Sequence, residues 1–322
     1  MNWSQLQRAW PFLTGARVVR VERSENTTWL LRCPAGGFAL RRYRDGYSNV
    51  RSIRAELGFM RLAAAAIGAA IPEVFSTSSD DEILMASDGT YVLFSLIEGI
   101  EASHEDMVRI APQLGEVTAT LHACVQESCQ LDDWEPDSRW TWDLSAFEGS
   151  TPRWGAWQLG VAKDDEHLLD CLGAAYEEMN RRLGAASRDT QSFGLIHADL
   201  RAANLLLVDS NLVGIIDFDD CGFGWFVYDA VTALSFYEAR PESLALIEGW
   251  MTGYKRILDL DMTMLKLVPS LVIYRRLLLT AWLHSHPHAS VSGLSRTTFG
   301  YDTERLASRY LEAPEDIEYM LS

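Results

Sequence analysis

The stretch that decides the fold is Leu195–Asp229, LIHADLRAANLLLVDSNLVGIIDFDDCGFGWFVYD. Two short apolar runs, Leu205–Val208 and Leu212–Ile216, flank the polar triplet Asp209-Ser210-Asn211. Apolar runs of that length around a turn signal predict a β-hairpin. A hairpin brings its two ends together. Asn204, just before the first run, and Asp217, just after the second, are therefore expected side by side. An amide oxygen and a carboxylate in one place make a hard-oxygen site suited to Mg2+. Asp199 follows His197 by two residues and precedes Asn204 by five, where it can accept a proton from a nucleophile. A base, an amide and a carboxylate around a metal are the parts that phosphoryl transfer requires.

The spacing His197-x-Asp199-x-x-x-x-Asn204 resembles the catalytic loop of protein kinases and their small-molecule relatives. The second half, IIDFDDCGFGWFVYDA (215–230), is similar to the aminoglycoside phosphotransferase and choline kinase superfamily. Within it, the closest likeness is to the bacterial group of homoserine kinase type II and stress-response kinase A. The resemblance spans nearly the whole chain and is carried most by 195–229, then by 36–60 and 91–121. It implies a protein-kinase-like α+β fold of two lobes: an antiparallel sheet plus one helix over residues 1–94, and a mainly helical lobe over 95–322. It also implies ATP and Mg2+ as cofactors. Asp199 would be the catalytic base, and Asn204 and Asp217 the metal ligands. Asp219 could reach metal or substrate. His197 and Asp229 would brace the loop.

A chain of 322 residues suits two lobes, and 48% apolar residues are ample for their cores. No apolar run reaches the roughly 20 residues that span a bilayer. The start, MNWSQLQRAW, lacks a basic-then-apolar leader, so export is not expected. The five cysteines (33, 124, 129, 171, 221) form no CxxC pair. They read as reduced thiols of a cytoplasmic protein without a zinc site. A net charge of −17 argues against a nucleic-acid partner and is compatible with a cationic substrate.

Upstream, Arg17–Val21, Thr28–Arg32 and Phe38–Tyr43 read as strands, separated by the polar turn Ser24–Thr27 and by Pro34–Gly37. The first turn carries no glycine, unlike the phosphate-covering hairpin of protein kinases. Kinases also place a cation on the third strand, held by a helix glutamate. The only lysines are 163, 255 and 266, so that cation must be an arginine. FALRR offers Arg41, with Arg42 on the opposite strand face. The helix starting near Ser48 carries Ile53, Leu57 and Met60 on one side and Glu56 as the expected partner of Arg41. After a strand ending near Phe94, the resemblance makes Ser95, Leu96 and Ile97 the hinge that binds the adenine edge, with Ser95 and Ile97 as cofactor-binding positions.

Glu105–Ala123, Asp165–Leu183, Ala230–Tyr237, Leu244–Leu258, Leu265–His284 and Ala313–Ser322 read as helices. His122 reads as structural, and His284, His286 and His288 as a polar helix end. Between 127 and 148, seven acids interleave with Trp134, Trp140 and Trp142. Such a stretch can bind an ammonium by cation–π and ionic contacts, or be a solvated acidic loop. The resulting expectation is ATP- and Mg2+-dependent phosphoryl transfer to a hydroxyl of a small, amine-bearing molecule. A Ser/Thr protein kinase of the stress-response kinase A type and a non-catalytic nucleotide-binding module are the alternatives. Neither nucleic acid nor membrane is an expected partner.

Overall fold

The structure is a computed structural model that describes residues 2–23, 26–46, 48–127, 138–148, 152–161, 165–287 and 296–322. Several sequence expectations concern residues outside that set: Ser24 and Glu25 of the first turn, Cys129, Trp134 with its acidic neighbours 132, 133, 135 and 137, Lys163, and His288.

The chain opens with α1 (Trp3–Ala9), which the sequence reading did not identify. Its cap is Asn2, whose side chain accepts from the Gln5 N–H. Six strands follow: β1 (Arg17–Arg23), β2 (Thr27–Cys33), β3 (Gly36–Tyr43), β4 (Val74–Phe75), β5 (Leu84–Ala86) and β6 (Gly89–Ser95). They form one antiparallel sheet in the order β1-β2-β3-β6-β4, with β5 also on β6. Strand alternation sends Leu40 into the core, Arg41 toward the cleft and Arg42 away from it to the Asp88 carbonyl and Asp45. Helix α2 (Val50–Ala66) starts at a reciprocal Asn49/Ser52 cap and buries Ile53, Glu56, Leu57 and Met60 against this sheet.

The remaining elements are β7 (Ile100–Glu101), α3 (His104–Glu127), β8 (Trp140–Trp142), α4 (Glu166–Ala185), β9 (Phe193–Ile196), β10 (Leu205–Val208), β11 (Asn211–Ile215), β12 (Gly222–Trp225), α5 (Tyr228–Ala233), α6 (Ser243–Tyr254), α7 (Met262–Leu265), α8 (Val268–Ser285), α9 (Arg296–Glu312) and α10 (Ile317–Leu321). They build two small sheets, β11-β10-β7 and β8-β12-β9, set among helices. Helices α3 and α6 approach so closely that a Cβ on Gly115 would stand 2.0 Å from the Trp250 carbonyl, and one on Gly253 would stand 1.8 Å from that of Pro112. Every residue of α8 from Val268 to Ala281 is buried. A helix buried all round belongs at the centre of a core, and the polar members Ser270, Arg275, Arg276 and Thr280 of α8 are all hydrogen-bonded there. Among the described residues no helix is long and apolar enough to cross a membrane.

The decisive hairpin is present, with a correction at its tip. The turn is Asp209-Ser210, two residues with φ of +48° and +67°, and Asn211 already pairs with Val208. Two left-handed residues match the twist of a tight hairpin, which a three-residue turn would not require here. Three helices also end or break earlier than expected, among them α6, which stops at Tyr254 rather than Leu258. Helix α5 stops at Ala233, three residues before the left-handed Phe236, and Leu265–His284 is divided between α7 and α8.

Candidate active site

A cleft of about 740 Å³ lies between the six-stranded sheet and the β10–β11 hairpin. Leu30, Ala39 and Phe94 wall one side, and Leu206 and Ile216 the other. Ser95, Leu96 and Ile97 line the connecting edge. The Ser95 and Leu96 N–H groups donate to the Glu73 and Gly37 carbonyls, which fixes the path of this segment.

Asp199 follows β9 through the buried pair His197-Ala198. Ala198 has φ +65°, a conformation that costs an alanine energy. Asp229 holds it there. Its carboxylate accepts from the N–H groups of His197 (3.1 Å) and Ala198 (2.7 Å) and meets His122 Nε2 at 3.1 Å. His122 in turn reaches the Tyr254 hydroxyl at 3.0 Å. His197 Nε2 faces the Ile216 carbonyl at 3.2 Å, tying the loop to the hairpin. Both histidines and Asp229 therefore brace the loop. Asp229→Ala strands two main-chain donors and an imidazole in a water-free spot. It is expected to cost about 3–5 kcal/mol of stability, measured by denaturant unfolding. A loss under about 1 kcal/mol would contradict the bracing role.

Hairpin pairing brings Asn204 and Asp217 together as expected: the Ile216 N–H donates to the Asn204 carbonyl at 3.0 Å. The Asn204 amide nitrogen donates to the Asp199 carbonyl (2.8 Å) and carboxylate (2.7 Å). Its amide oxygen is the group left to face elsewhere. Asp217 sits in the left-handed region, φ +66°, at the lip of the cleft. An amide oxygen and a carboxylate in register fit a divalent cation such as Mg2+. Among the described residues there is no cluster of three or more His, Cys, Asp or Glu placed to hold a metal. A cation here would thus complete its shell with ligand oxygens and water, the usual habit of Mg2+.

Arg41 reaches both Glu56 (3.1 Å) and Asp217 (2.6 Å), so strand β3, helix α2 and the hairpin meet at one guanidinium. Burial raises the Glu56 carboxyl, against the pull of Arg41 and Arg139. Burial also works against the charged Arg41, but Asp217 and Glu56 outweigh it and hold its proton more firmly than usual. Asp219 is buried, and its carboxylate accepts from Asn26 Nδ2 at 2.8 Å, across from the tip of the first hairpin. Burial, Asp217 and Asp220 push its carboxyl well above the ordinary aspartate value.

Four contributors escaped the sequence reading. Arg201 Nε (3.1 Å) and Arg275 Nη2 (2.6 Å) both bond the Asp199 carboxylate. Burial pulls that carboxyl up, yet Arg201 and Arg275 outweigh it and keep it below its ordinary value. Arg139 threads under the loop to the carbonyls of Cys221, Ser52 and Asp219. Arg153 ion-pairs with Asp220 and lies 4.0, 4.4 and 5.2 Å from the ring centres of Trp140, Trp142 and Trp154. The stretch that the sequence offers as an ammonium site or a solvated acidic loop is described only in part: Trp140 and Trp142 are in place, and Trp134 with the acids 132, 133, 135 and 137 lies outside the described residues. The faces of Trp140 and Trp142 already hold a guanidinium of the chain itself. Two adjacent arginines in the apolar run LVPSLVIYRRLLLTAW were the available signal for Arg275. Arg139 and Arg153 carried none beyond their place beside tryptophans.

A small antiparallel sheet, a helical body and this polar cluster between them define a protein-kinase-like phosphotransferase with a hydroxyl acceptor. The chain belongs to the APH phosphotransferase enzyme family, whose model matches residues 18–261. The homoserine kinase of Rhodospirillum rubrum is 26% identical over 286 residues, 84% of this chain and 82% of its own. The solved structure of a microcompartment-associated aminopropanol kinase superposes with a TM-score of 0.84 at 30% identity, covering 99% of this chain and 98% of that one. An amicoumacin kinase solved with AMP-PNP and Ca2+ shares the fold, with a TM-score of 0.68 at 18% identity over 94% of this chain and 92% of its own.

Proposed function

We propose that the chain is an ATP- and Mg2+-dependent kinase of the cytoplasm that phosphorylates a hydroxyl of a small, amine-bearing molecule. The observation that carries this reading is that Arg41, Asn204 and Asp217 line one cleft, with Asp199 bonded to Asn204 and Glu56 to Arg41 just behind them. The amine is supported by two of the relatives, since both homoserine and aminopropanol are amine-bearing alcohols.

In this reading residues 1–94 form the nucleotide lobe and 95–322 the acceptor lobe. Ser95 and Ile97 lie along the adenine edge, and among the described residues the Ile97 N–H makes no hydrogen bond. Arg41, oriented by Glu56, faces the phosphates. Asn204 and Asp217 would hold Mg2+, which would supply positive charge to offset that of the phosphates. Asp199 receives the acceptor's proton. The acceptor O–H bond breaks as its oxygen bonds the γ-phosphorus. The bond from that phosphorus to the bridging oxygen breaks, and its electron pair leaves on ADP. Positioning and fixed charges carry such chemistry.

A coupled ADP-release screen tests the acceptor class. Its arms are amino alcohols, hydroxy amino acids, aminoglycosides and a generic protein substrate. Turnover confined to the protein arm would replace this acceptor with a Ser/Thr side chain, and Mg-nucleotide binding without turnover in any arm would favour a binding module. A second measurement addresses the metal. Asp217→Ala is expected to abolish most of the extra thermal stabilisation that ATP gains from added Mg2+, and to change the metal-free shift little. Equal Mg2+-dependent shifts in variant and parent would contradict the ligand role.

A further inference from the structure

An ionised carboxylate has room for about four donors, two on each oxygen. Asp199 Oδ2 already receives two, from Arg201 Nε and Asn204 Nδ2. Among the described residues Oδ1 receives one, from Arg275 Nη2 at 2.6 Å. The two oxygens of the base are therefore unequal, and Oδ1 keeps a lone pair.

Arg275 comes from the middle of α8, and its side chain is 2% exposed. Ser235 Oγ accepts from its Nε at 2.9 Å, and the guanidinium also interacts with the buried Tyr228 hydroxyl. The next residue, Arg276, is as deeply buried but differently employed. Its Nε reaches Thr303, its Nη1 reaches Glu238, and its Nη2 reaches the Phe299 carbonyl and Thr303. Most buried polar groups are satisfied in this way. Arg276 is a brace between α8 and α9. Arg275 instead aims its fork at the carboxylate of the site.

We propose that Arg275 is a positioning residue for Asp199: it occupies one lone pair of Oδ1 and so directs the other at the acceptor hydroxyl, making Oδ1 the oxygen that receives the proton. This rests on the reading of Asp199 as the proton-accepting group. Ser235 holds the plane of the guanidinium and hence the direction of the free lone pair.

The test is steady-state kinetics on Arg275→Met, Arg275→Lys, Ser235→Ala and Arg276→Met, each with nucleotide-induced thermal shifts. Arg275→Met is expected to lower kcat about a hundredfold, within the range of misplaced acid–base groups, with the KM for nucleotide unchanged. Arg275→Lys keeps the charge but not the fork, and should recover about tenfold of that loss. Ser235→Ala should lower kcat about threefold, as expected for one hydrogen bond. Arg276→Met should lower the melting temperature and leave kcat of the folded protein as it was. If Arg275→Met does not fold, the lysine and Ser235 variants decide. Wild-type kcat in both of those, or losses confined to the KM for nucleotide, would overturn the proposal. Asp199→Asn run in parallel separates the two layers. An active Asp199→Asn overturns the role of Asp199 itself, whereas an inactive one beside fully active Arg275→Lys and Ser235→Ala overturns that of Arg275 alone.

Discussion

Asp199→Asn is expected to lower turnover by about 10²–10⁴, the worth of a positioned general base, and to leave Mg-nucleotide binding close to wild type. The two side chains have the same shape, so packing is retained. What changes is chemistry at one atom. An amide cannot take up the acceptor's proton, and its NH2 must face donors where the carboxylate accepted from Arg201, Arg275 and Asn204. Neither Asp217 nor Arg41 contacts Asp199 directly, and they remain paired with each other. The loss should therefore appear in kcat, with nucleotide thermal shifts preserved. Near-parental turnover would sink the assignment.

Arg41→Ala is expected to damage both nucleotide use and stability. Glu56 is fully buried, and Arg41 is the cation bonded to it at 3.1 Å. Removing one member of a buried pair typically costs about 3–5 kcal/mol, because the other charge stays in a poor solvent. Glu56 would then fold with a proton taken up, in the direction burial already drives it. Separately, the KM for ATP should rise, since the fork that faces the phosphates is gone. The double variant Arg41→Ala/Glu56→Gln splits these effects. Stability should largely return, because the fully buried carboxylate is gone and Asp217, which also loses Arg41, is partly exposed, while the KM for ATP should stay high. Arg42→Ala should do little, as that side chain only reaches the Asp88 carbonyl and Asp45 at the far face. An unchanged KM for ATP in Arg41→Ala would refute the phosphate-binding role.

The contrast between Arg41 and Arg275 shows what could be read from sequence. Arg41 and Arg42 lie on a strand, whose period of two separates their faces without further information. Asn204 and Asp217 lie at the ends of one hairpin, so local pairing alone brings them together. Glu56 was legible through the kinase resemblance, which calls for a helix carboxylate beside the strand cation. Arg275, by contrast, is 76 residues from Asp199, and only the packing of α8 through the core joins them. Arg153 is a similar case. The tryptophans around it suggested a cation, but its identity depended on a tertiary contact that no periodicity encodes. Helix α9 was missed for another reason: its sequence is polar on average, which masks the helical spacing of Phe299, Thr303, Leu306 and Tyr310 that buries one face against α4 and α8.

The hairpin has one consequence for recognising distant relatives. Asn204 and Asp217 stand at its base, joined by the main-chain bond from Ile216 to Asn204. Their separation is set by the gap between paired strands, roughly 5 Å, and not by how far the hairpin extends. The interval of thirteen residues between them is thus a record of loop length. Lengthening the hairpin by one residue per strand would leave both side chains on the same face, and a single insertion can be taken up as a bulge, as the register shift between Leu206 and Leu207 shows. Searches that demand a fixed interval will discard chains whose site is intact. Searches that let it vary follow the geometry.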